Sequence, residues 1–545
     1  MIRDNNIWVA VNENNEPLVI RPSMANRHGL IAGATGTGKT VTVKVLAESF
    51  SQIGVPVFLA DVKGDLSGMI QPGIMTEDMT SRVARFGIAD TFTPQAYPGS
   101  FWDIYGNNGI QLRTTISEIG PLLLARILRL NDLQSDILSI IFRIADDNGW
   151  LLVDTKDLKS MINYVEEHNK EYSAAYGKIS PASTGAILRA VVALESAGGE
   201  VFFGEPALNI LDLLQTDNGK GMISILDSSS LINDGRLYST FLLWMMSELF
   251  EMLPEVGDLD KPKMVFFFDE AHLLFNDAST ELLSKIEQVV KLIRSKGVGI
   301  YFCTQNPRDI PDAVLAQLGN KIEHALHAYT PSEQKAIKAA ADSFRANPAF
   351  DTAELITMLG VGEAAVSFLD EDGIPTMVEK GYILPPQSQM GTITDAQREM
   401  AVRSSLYYSK YANSYDSESA YEIIERKNLE DLAQAEEAAA LAEQEKADRK
   451  AAEAAAKAEE KAKEKAEKDE LKAKEKAERE AQKAAEKAAK DKKRAIKQVG
   501  GTVVGTVGRE VGKQVGKNFG KFGKTLGGNV GASLGRGLLN TILKG

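Results

Sequence analysis

A phosphate-binding loop is indicated by eight consecutive residues near the amino terminus: Gly33, Ala34, Thr35, Gly36, Thr37, Gly38, Lys39 and Thr40. An apolar run leads into the loop and a helical pattern follows it, which is the setting that this motif requires. The glycines allow backbone N–H groups to point at phosphate oxygens, and the helix adds its positive amino-terminal end. Lys39 would neutralise phosphate charge and Thr40 would bind Mg²⁺. We therefore predict a site for ATP and Mg²⁺, the alternative being a glycine-rich turn without a ligand.

Hydrolysis needs a carboxylate near such a loop, and the run "MVFFFDE" (264–270) supplies two. At the carboxyl end of a buried strand, Asp269 would hold Mg²⁺ through water, and Glu270 would act as general base on the attacking water. A second run, "GIYFCTQ" (299–305), ends in Gln305, which could orient that water or sense the γ-phosphate. The alternative in each case is a strand that happens to end in polar residues. Together these residues predict ATP hydrolysis.

These residues need a scaffold, and the pattern over residues 5–387 indicates an α/β fold with a mostly parallel sheet. Apolar runs of strand length alternate there with helical patterns and turn residues. Runs that are apolar throughout suit strands buried on both faces. Six strands are predicted, at 29–33, 55–61, 221–227, 264–270, 299–305 and 322–327.

The domain organisation follows from changes in this pattern. Residues 70–214 read as a mostly helical insertion, so the predicted ATPase core comprises 1–69 and 215–395. Residues 396–428 are a connector, 429–498 an Ala/Glu/Lys-rich helix, and 499–545 a Gly-rich basic tail. Acid–base pairs at spacing four support that helix without a core. It would be a solvated rod of roughly 100 Å, with a coiled coil as the alternative.

The composition restricts the class of protein. With 44% apolar and 25% charged residues, the chain is expected to be globular and soluble. The single cysteine, Cys303, excludes an intramolecular disulfide, and five scattered histidines make a His-cluster metal site improbable. No signal peptide and no uncharged apolar run long enough to span a membrane are found. We predict a cytoplasmic protein.

The net charge of −13 conceals an acidic body and a basic carboxyl-terminal tail. Residues 491–545 carry eleven Lys or Arg against two acids, with a glycine at every third or fourth position of 501–535. Each glycine inside a helix costs roughly 1 kcal/mol, so an isolated helix is not expected there. The tail could contact other tails, an anionic membrane or nucleic acid, or remain disordered, and peripheral membrane association is one of these options.

The segments "FFFDEAH", "IRSKGVGIYFCTQNPRDIPDAVLAQLGNKIEHAL", "ADVKGDLSG" and "GVGEAAVSFLDEDGIP" resemble the HerA–FtsK superfamily. More narrowly they resemble its bacterial HerA-like, YjgR-like branch, over roughly residues 5–390. The resemblance implies a RecA-like core and a ring of about six subunits, with an ATP site at each subunit boundary. It also implies that an arginine of one subunit reaches its neighbour's γ-phosphate, and Arg294 matches that position. The alternative for Arg294 is a solvated cation at a helix end.

The resemblance implies a DNA translocase or helicase. Archaeal members of the superfamily begin with a small β-barrel that docks nucleases, whereas here the phosphate loop follows after 32 residues, so a role in DNA-end resection is not carried over from the resemblance. The acidic body lacks a dense basic and aromatic surface of the kind that binds nucleic acid. The competing hypothesis is therefore an ATP-switched oligomeric assembly protein that acts on protein or membrane partners without moving DNA.

Overall fold

The computed structural model describes residues 1–196, 198–230, 235–276, 280–328 and 330–491. The predicted tail at 499–545 lies outside the described residues. The chain divides into two compact units, Met1–Ala435 and the part that starts at Glu436. All residues of the predicted ATP site belong to the first unit.

The first unit is organised by a thirteen-stranded sheet, and β8 and β9 form a separate hairpin. The strands are β1 (Ile2–Arg3), β2 (Asn6–Val11), β3 (Pro17–Ile20), β4 (Gly29–Ala32), β5 (Val57–Asp61), β6 (Gly99–Asp103), β7 (Ile110–Gln111), β8 (Thr216–Asp217), β9 (Lys220–Gly221), β10 (Ile223–Asp227), β11 (Met264–Phe268), β12 (Val298–Thr304), β13 (Asn320–His324), β14 (Glu363–Ser367) and β15 (Glu379–Ile383).

Helices cover the sheet and connect its strands. They are α1 (Lys39–Gln52), α2 (Glu77–Arg85), α3 (Ile116–Ile127), α4 (Asp132–Asn148), α5 (Thr155–Glu167), α6 (Asn169–Tyr176), α7 (Pro181–Ser196), α8 (Gly199–Phe202), α9 (Gly235–Met252), α10 (His272–Phe275), α11 (Thr280–Ile293), α12 (Asp312–Leu315), α13 (Pro331–Asp342), α14 (Thr352–Met358), α15 (Asp395–Arg403), α16 (Tyr408–Tyr411) and α17 (Ala420–Asp491).

The strand order is β1-β2-β15-β14-β13-β4-β12-β11-β5-β10-β6-β7, with β3 paired to β2. All pairings from β13 to β7 are parallel, whereas those from β13 through β14 and β15 to β2 are antiparallel. The phosphate-loop strand β4 is central, and β12 separates it from the acidic strand β11. The α/β, RecA-like fold and its mostly parallel sheet are therefore confirmed, and all six predicted strands are present.

Both faces of the sheet are buried. Along β11, Phe266 and Phe268 belong to one hydrophobic cluster and Phe267 to another. The first cluster contains buried residues of α3, α4, α5, α7, α9 and α11, and the second contains those of α1. A strand covered on both sides needs apolar residues at every position, not at alternate ones. This double burial explains the continuous apolar runs in the sequence.

The predicted insertion, residues 70–214, is mostly helical but also contains part of the sheet. It holds α2 to α8, and α4 shows the local signals, since the Asn131 side chain caps its first turn and Gly149 ends it with φ of 69°. However, β6 lies in "YPGSFWDIYGNNG", a stretch interpreted as turn-rich, and pairs in parallel with β10. Its apolar run is too short to stand out among turn residues. The domain boundaries stay predictions.

The Ala/Glu/Lys-rich segment is helical up to Asp491, as part of α17, which starts at Ala420. The predicted helix began at 429, and the earlier start has a local cause. The backbone N–H of Ser419 donates to the Glu422 carboxylate at 3.0 Å, and Ala420 and Ile424 are buried in the core of the first unit. In the second unit the exposed helix carries ion pairs at spacing four, such as Glu459 with Lys463. No helix in the described ranges is both long enough and apolar enough to cross a bilayer.

Candidate ATP site

The phosphate loop connects β4 to α1, and its glycines adopt backbone conformations that other residues avoid. Gly33 has φ of 143°, Gly36 of 81° and Gly38, which caps α1, of 117°. A β-carbon at Gly33 would also lie 2.5 Å from that of His324, whereas one at Gly36 would meet no atom within 4 Å. Gly33 is thus required by space and by backbone conformation, and Gly36 by conformation alone.

Lys39 folds back over the loop. Its ammonium group donates to the carbonyl oxygens of Gly33 at 2.5 Å and Ala34 at 2.9 Å. The Thr37 hydroxyl donates to the Ala34 carbonyl as well, at 2.7 Å. Burial and the nearby Lys63 lower the pKa of Lys39, although the two acidic residues after β11 oppose this shift. The loop therefore holds its cation at the place where phosphate oxygens would be bound.

Asp269 and Glu270 follow β11 directly, as the sequence predicts. Burial, and then the charge of Glu270, raise the pKa of Asp269 to about 7, while Lys63 opposes the rise. The Tyr238 hydroxyl donates to the Asp269 carbonyl oxygen at 2.7 Å, and an Asp269 carboxylate oxygen accepts the backbone N–H of Glu270 at 3.0 Å. These bonds fix the turn after the strand.

The Glu270 carboxylate is buried and surrounded by donors. The Gln305 amide donates to its two oxygens at 3.1 and 3.4 Å, while Nζ of Lys63 lies at 3.8 Å and Nδ1 of His272 at 3.4 Å. The same Gln305 side chain accepts the Thr35 hydroxyl at 3.4 Å. Gln305 therefore connects the phosphate loop to the acidic pair. Glu270 itself has φ of 48°, a strained conformation that directs its side chain differently from a regular strand end.

A cavity of about 20 Å³, which is room for about one water molecule, lies beside the phosphate loop. Lys39, Thr40, Lys63 and Asp269 are among the residues that line it. A threonine hydroxyl and an aspartate carboxylate are oxygen donors of the kind that Mg²⁺ binds. The two residues predicted to hold the metal ion thus lie in one place, and their chemistry fits it.

Lys63 lies in the candidate site, although no chemical role is predicted for it from the sequence. It lies in "ADVKGDLSG", where the Asp61 carboxylate accepts the backbone N–H groups of Gly64 at 2.7 Å and Leu66 at 3.0 Å. Burial raises the pKa of Asp61 to about 6. Asp61 therefore builds the turn that carries Lys63 to Glu270. The motif was visible in the sequence, but nothing in its spacing indicated that its lysine meets an acid more than 200 residues later.

Arg294 is not brought to the ATP site of its own chain. It is exposed, in a single 3-10 turn that precedes β12, and its backbone carbonyl accepts the Asn26 side-chain amide at 3.4 Å. This position is at the amino end of β12, whereas the phosphate loop and Gln305 are at the carboxyl ends of β4 and β12. The seven residues of β12 separate the two edges by roughly 20 Å.

Comparison with known proteins identifies relatives of this chain. A family model described as "Helicase HerA-like C-terminal" matches residues 6–520. The chain is 24% identical over 368 residues to the DNA double-strand break repair helicase HerA of Sulfurisphaera tokodaii, covering 64% of this chain and 63% of the relative. The protein of the same name from Sulfolobus acidocaldarius is 22% identical over 363 residues, with 65% and 64% covered. The chain spans slightly less than two thirds of the length of these relatives.

Two solved structures are similar to this chain at low identity. VirB4 of Thermoanaerobacter pseudethanolicus superposes with a TM-score of 0.47 at 15% identity and covers 71% of this chain and 97% of its own. The plasmid coupling protein TrwB, in complex with ADP and Mg²⁺, gives a TM-score of 0.47 at 14% identity and covers 72% and 92%. The phosphate loop, the acidic pair after β11 and the family match over most of the chain lead to one conclusion: the chain belongs to the HerA-like helicase family of P-loop ATPases.

Proposed function

We propose that this chain is an ATP-hydrolysing, ring-forming motor of the HerA type that moves DNA. The observation that carries the proposal is the hydrogen-bonded connection from Thr35 through Gln305 to Glu270, because a buried carboxylate beside the phosphate loop could act as a general base. A phosphate loop alone supports nucleotide binding. A buried carboxylate that is oriented towards the loop supports hydrolysis as well.

The roles of the residues follow from their chemistry. The backbone N–H groups of 33–40 and the Lys39 ammonium would hold the phosphates of ATP, with Thr40 and Asp269 as the residues that hold Mg²⁺. When bound, Mg²⁺ neutralises negative charge on the phosphate oxygens. Glu270 would accept a proton from the attacking water, and Gln305 would keep the Glu270 carboxylate in position for this step.

A ring accounts for the position of Arg294. Because Arg294 lies at the opposite edge of the sheet from the phosphate loop, it can serve an ATP site only if that site belongs to another subunit. An arginine supplied in this way would stabilise the charge that develops on the transferred phosphoryl group. Hydrolysis would then depend on assembly, which we propose to be a ring of about six subunits with DNA passing through it.

The direct test is ATP turnover of the purified chain with and without duplex and single-stranded DNA, beside Lys39→Ala and Glu270→Gln variants. We expect both variants to lose turnover and the Glu270→Gln variant to retain ATP binding. We also expect DNA to raise turnover of the unaltered chain. If no form of DNA changes turnover or binds, the DNA part of the proposal is wrong.

The acidic charge of the chain favours a second function, an ATP-switched assembly protein that acts on protein or membrane partners. Apart from residues 491–545 the chain is more acidic than its net charge of −13 indicates, and acidic surfaces repel DNA. This function predicts that anionic vesicles or a partner protein, and not DNA, raise ATP turnover. The basic tail that would contact them lies outside the described residues.

A further inference from the structure

Lys63 lies in the candidate ATP site, and none of the roles proposed above belongs to it. Its side chain lines the same small cavity as Lys39, Thr40 and Asp269, where the phosphates and Mg²⁺ would be held. Its Nζ also lies 3.8 Å from Oε1 of Glu270. The ammonium group of Lys63 is therefore close both to the place for the phosphates and to the proposed general base.

The contact between Lys63 and Glu270 is a loose one. A distance of 3.8 Å is longer than a hydrogen bond, and the Lys63 side chain is 42% exposed. The Glu270 carboxylate, by contrast, is 8% exposed and accepts the Gln305 amide at 3.1 Å. An ion pair with a half-exposed partner contributes little stability. Gln305 therefore positions Glu270, and Lys63 can leave the carboxylate at small cost.

The turn that carries Lys63 does not depend on the lysine side chain. The Asp61 carboxylate accepts the backbone N–H groups of Gly64 at 2.7 Å and Leu66 at 3.0 Å. Gly64 has φ of 74°, a conformation that glycine adopts without strain. Because the stem of a lysine is flexible, the ammonium group can take more than one direction from this fixed turn. A substitution at position 63 should accordingly leave the turn in place.

Lys39 and Lys63 differ in how firmly the chain holds them. The Lys39 ammonium donates to the carbonyl oxygens of Gly33 and Ala34, so it is bound to the phosphate loop itself. The Lys63 ammonium has the longer contact, with one carboxylate oxygen of Glu270. The terminal phosphate of ATP carries more negative charge than a single carboxylate, and it binds ammonium groups through charge-assisted hydrogen bonds. ATP therefore offers Lys63 a stronger partner than Glu270, whereas ADP lacks that phosphate.

We propose that Lys63 is a γ-phosphate-binding residue, which pairs with Glu270 while the terminal phosphate is absent and transfers to that phosphate when ATP binds. The proposal rests on the proposed function, because the phosphates must lie on the loop at 33–40. A cation beside a carboxylate stabilises its charge and makes it a weaker base. Departure of Lys63 strengthens Glu270 as a base when ATP, and not ADP, occupies the site.

Nucleotide binding by the full chain tests the contact. ATP and ADP are titrated with Mg²⁺ in a Glu270→Gln background, which prevents turnover, and in the same background with Lys63→Met or Lys63→Arg. We expect Lys63→Met to lower ATP affinity roughly tenfold or more, because a hydrogen bond to a charged group is lost, and ADP affinity by no more than about threefold. Lys63→Arg keeps the charge and should recover part of the ATP affinity. Lys338→Met, at an exposed position on α13, is the matched control and should bind both nucleotides like the background.

Amine labelling reports on the lysine side chain itself. Because Lys63 is 42% exposed, an amine-specific acylating reagent should modify it in the nucleotide-free chain. We expect ATP to slow this modification roughly tenfold in the Glu270→Gln background and ADP to slow it much less. Mass spectrometry measures the rate at each lysine, and Lys338 should be modified at the same rate with either nucleotide or with none.

Equal losses of ATP and ADP affinity in the Lys63→Met protein, an unchanged ATP affinity, or equal protection of Lys63 by the two nucleotides would overturn the proposal. A Lys39→Ala variant separates it from the proposed function, since weaker binding of both nucleotides there supports the phosphate site whatever the result at Lys63. If the unaltered chain binds neither ATP nor ADP, the phosphate site is wrong, and the role of Lys63 with it.

Discussion

At the scale of single residues, Gln305 is the side chain that joins the two halves of the candidate site. We predict that Gln305→Leu, which keeps the size but removes the amide, lowers kcat by roughly ten- to a hundredfold. The reason is that Glu270 loses its donor at 3.1 Å and Thr35 loses its acceptor. ATP affinity should change little, because the residues that hold phosphate are untouched. Steady-state turnover and equilibrium ATP binding measure the two effects separately.

The matched control for this substitution is Gln334→Leu, at an exposed position on α13. It should leave both kcat and ATP affinity unchanged. A Gln305→Leu protein with normal turnover, or one that loses affinity without losing turnover, would show that Gln305 does not position Glu270.

His28 gives a prediction about pH and stability. It is buried and uses both ring nitrogens, since Nε2 donates to the Val290 carbonyl at 2.8 Å and Nδ1 accepts the Ile300 N–H at 3.0 Å. Burial lowers the pKa of His28 from 6.5 to about 4. In that interval the unfolded chain binds a proton at this residue and the folded chain does not, so His28 contributes less stability as the pH falls.

We therefore predict that His28→Gln costs more free energy of unfolding at pH 7.5 than at pH 4.5, by up to about 3 kcal/mol. Comparing variant and unaltered chain at each pH removes the contributions of other titrating groups. Denaturant unfolding at several pH values measures this difference. Gln334→Leu, an exposed substitution that removes no titratable group, is the control, and its effect on the free energy of unfolding should not depend on pH. A constant difference for His28→Gln across the interval would contradict the assignment of a neutral, buried imidazole.

At the scale of elements, Glu48 of α1 anchors the segment that follows β15. Its carboxylate accepts the backbone N–H groups of Gln387 at 2.7 Å and Ser388 at 3.1 Å, and the Ser388 hydroxyl at 2.5 Å. Lys44, one turn earlier on α1, donates to the Gln389 carbonyl at 2.6 Å. Glu48→Gln replaces one accepting oxygen by an NH₂ group and leaves buried donors without a partner. We predict a loss of about 2–3 kcal/mol in the free energy of unfolding.

Hydrogen exchange locates this loss. The amides of Gln387 and Ser388 should exchange faster in the Glu48→Gln protein. The amides of the central strands should exchange in the same relative order as in the unaltered chain. Glu443→Gln, at an exposed position on α17, is the control and should change neither exchange nor stability. Unchanged protection at 387 and 388 would mean that other contacts hold the segment.

The strands and helices show how much of the fold could be predicted from the sequence. The central strands were predictable because burial on both faces requires long apolar runs, as in 264–268. The short strand 99–103 was not, because its apolar residues are few and lie among turn residues. The start of α17 had a usable signal, since Ser419 and Glu422 have the spacing of a capping box. The Ala/Glu/Lys-rich composition begins only at 429, and composition alone therefore indicates a later start for the helix.

Some residues of the candidate site were likewise predictable from the sequence, and others were not. Lys39, Thr40 and Asp269 share one cavity, as their motifs predict, because each follows a strand of the same parallel sheet. Lys63 was not assigned a role, because its contact with Glu270 depends on the order of strands in the sheet. Spacing along the chain carries no information about that order. A motif within one strand–loop–helix segment can therefore be recognised from the sequence. A contact between two such segments can be identified only when the order of the strands is known.

At the scale of the whole molecule, Arg294 is the residue on which the proposed sharing of ATP sites between subunits depends. The roughly 20 Å between the two edges of β12 prevents it from reaching the phosphates held by its own chain. Its exposure leaves it available to a neighbour. In a closed ring each subunit would give its arginine to one neighbour and receive one from the other. Turnover of each site would then require intact residues from two chains.

Mixing two inactive variants tests this arrangement. We predict that Arg294→Ala and Glu270→Gln each abolish most ATP turnover and that mixing them restores part of it. In an equimolar mixed ring, roughly a quarter of the interfaces combine an intact Glu270 with an intact neighbouring Arg294. Lys291→Ala, which removes an exposed cation from the end of α11, is the matched control and should retain turnover alone. Normal turnover of Arg294→Ala would remove this arginine from the mechanism, and two inactive variants that stay inactive after subunit exchange would show that the site is not shared.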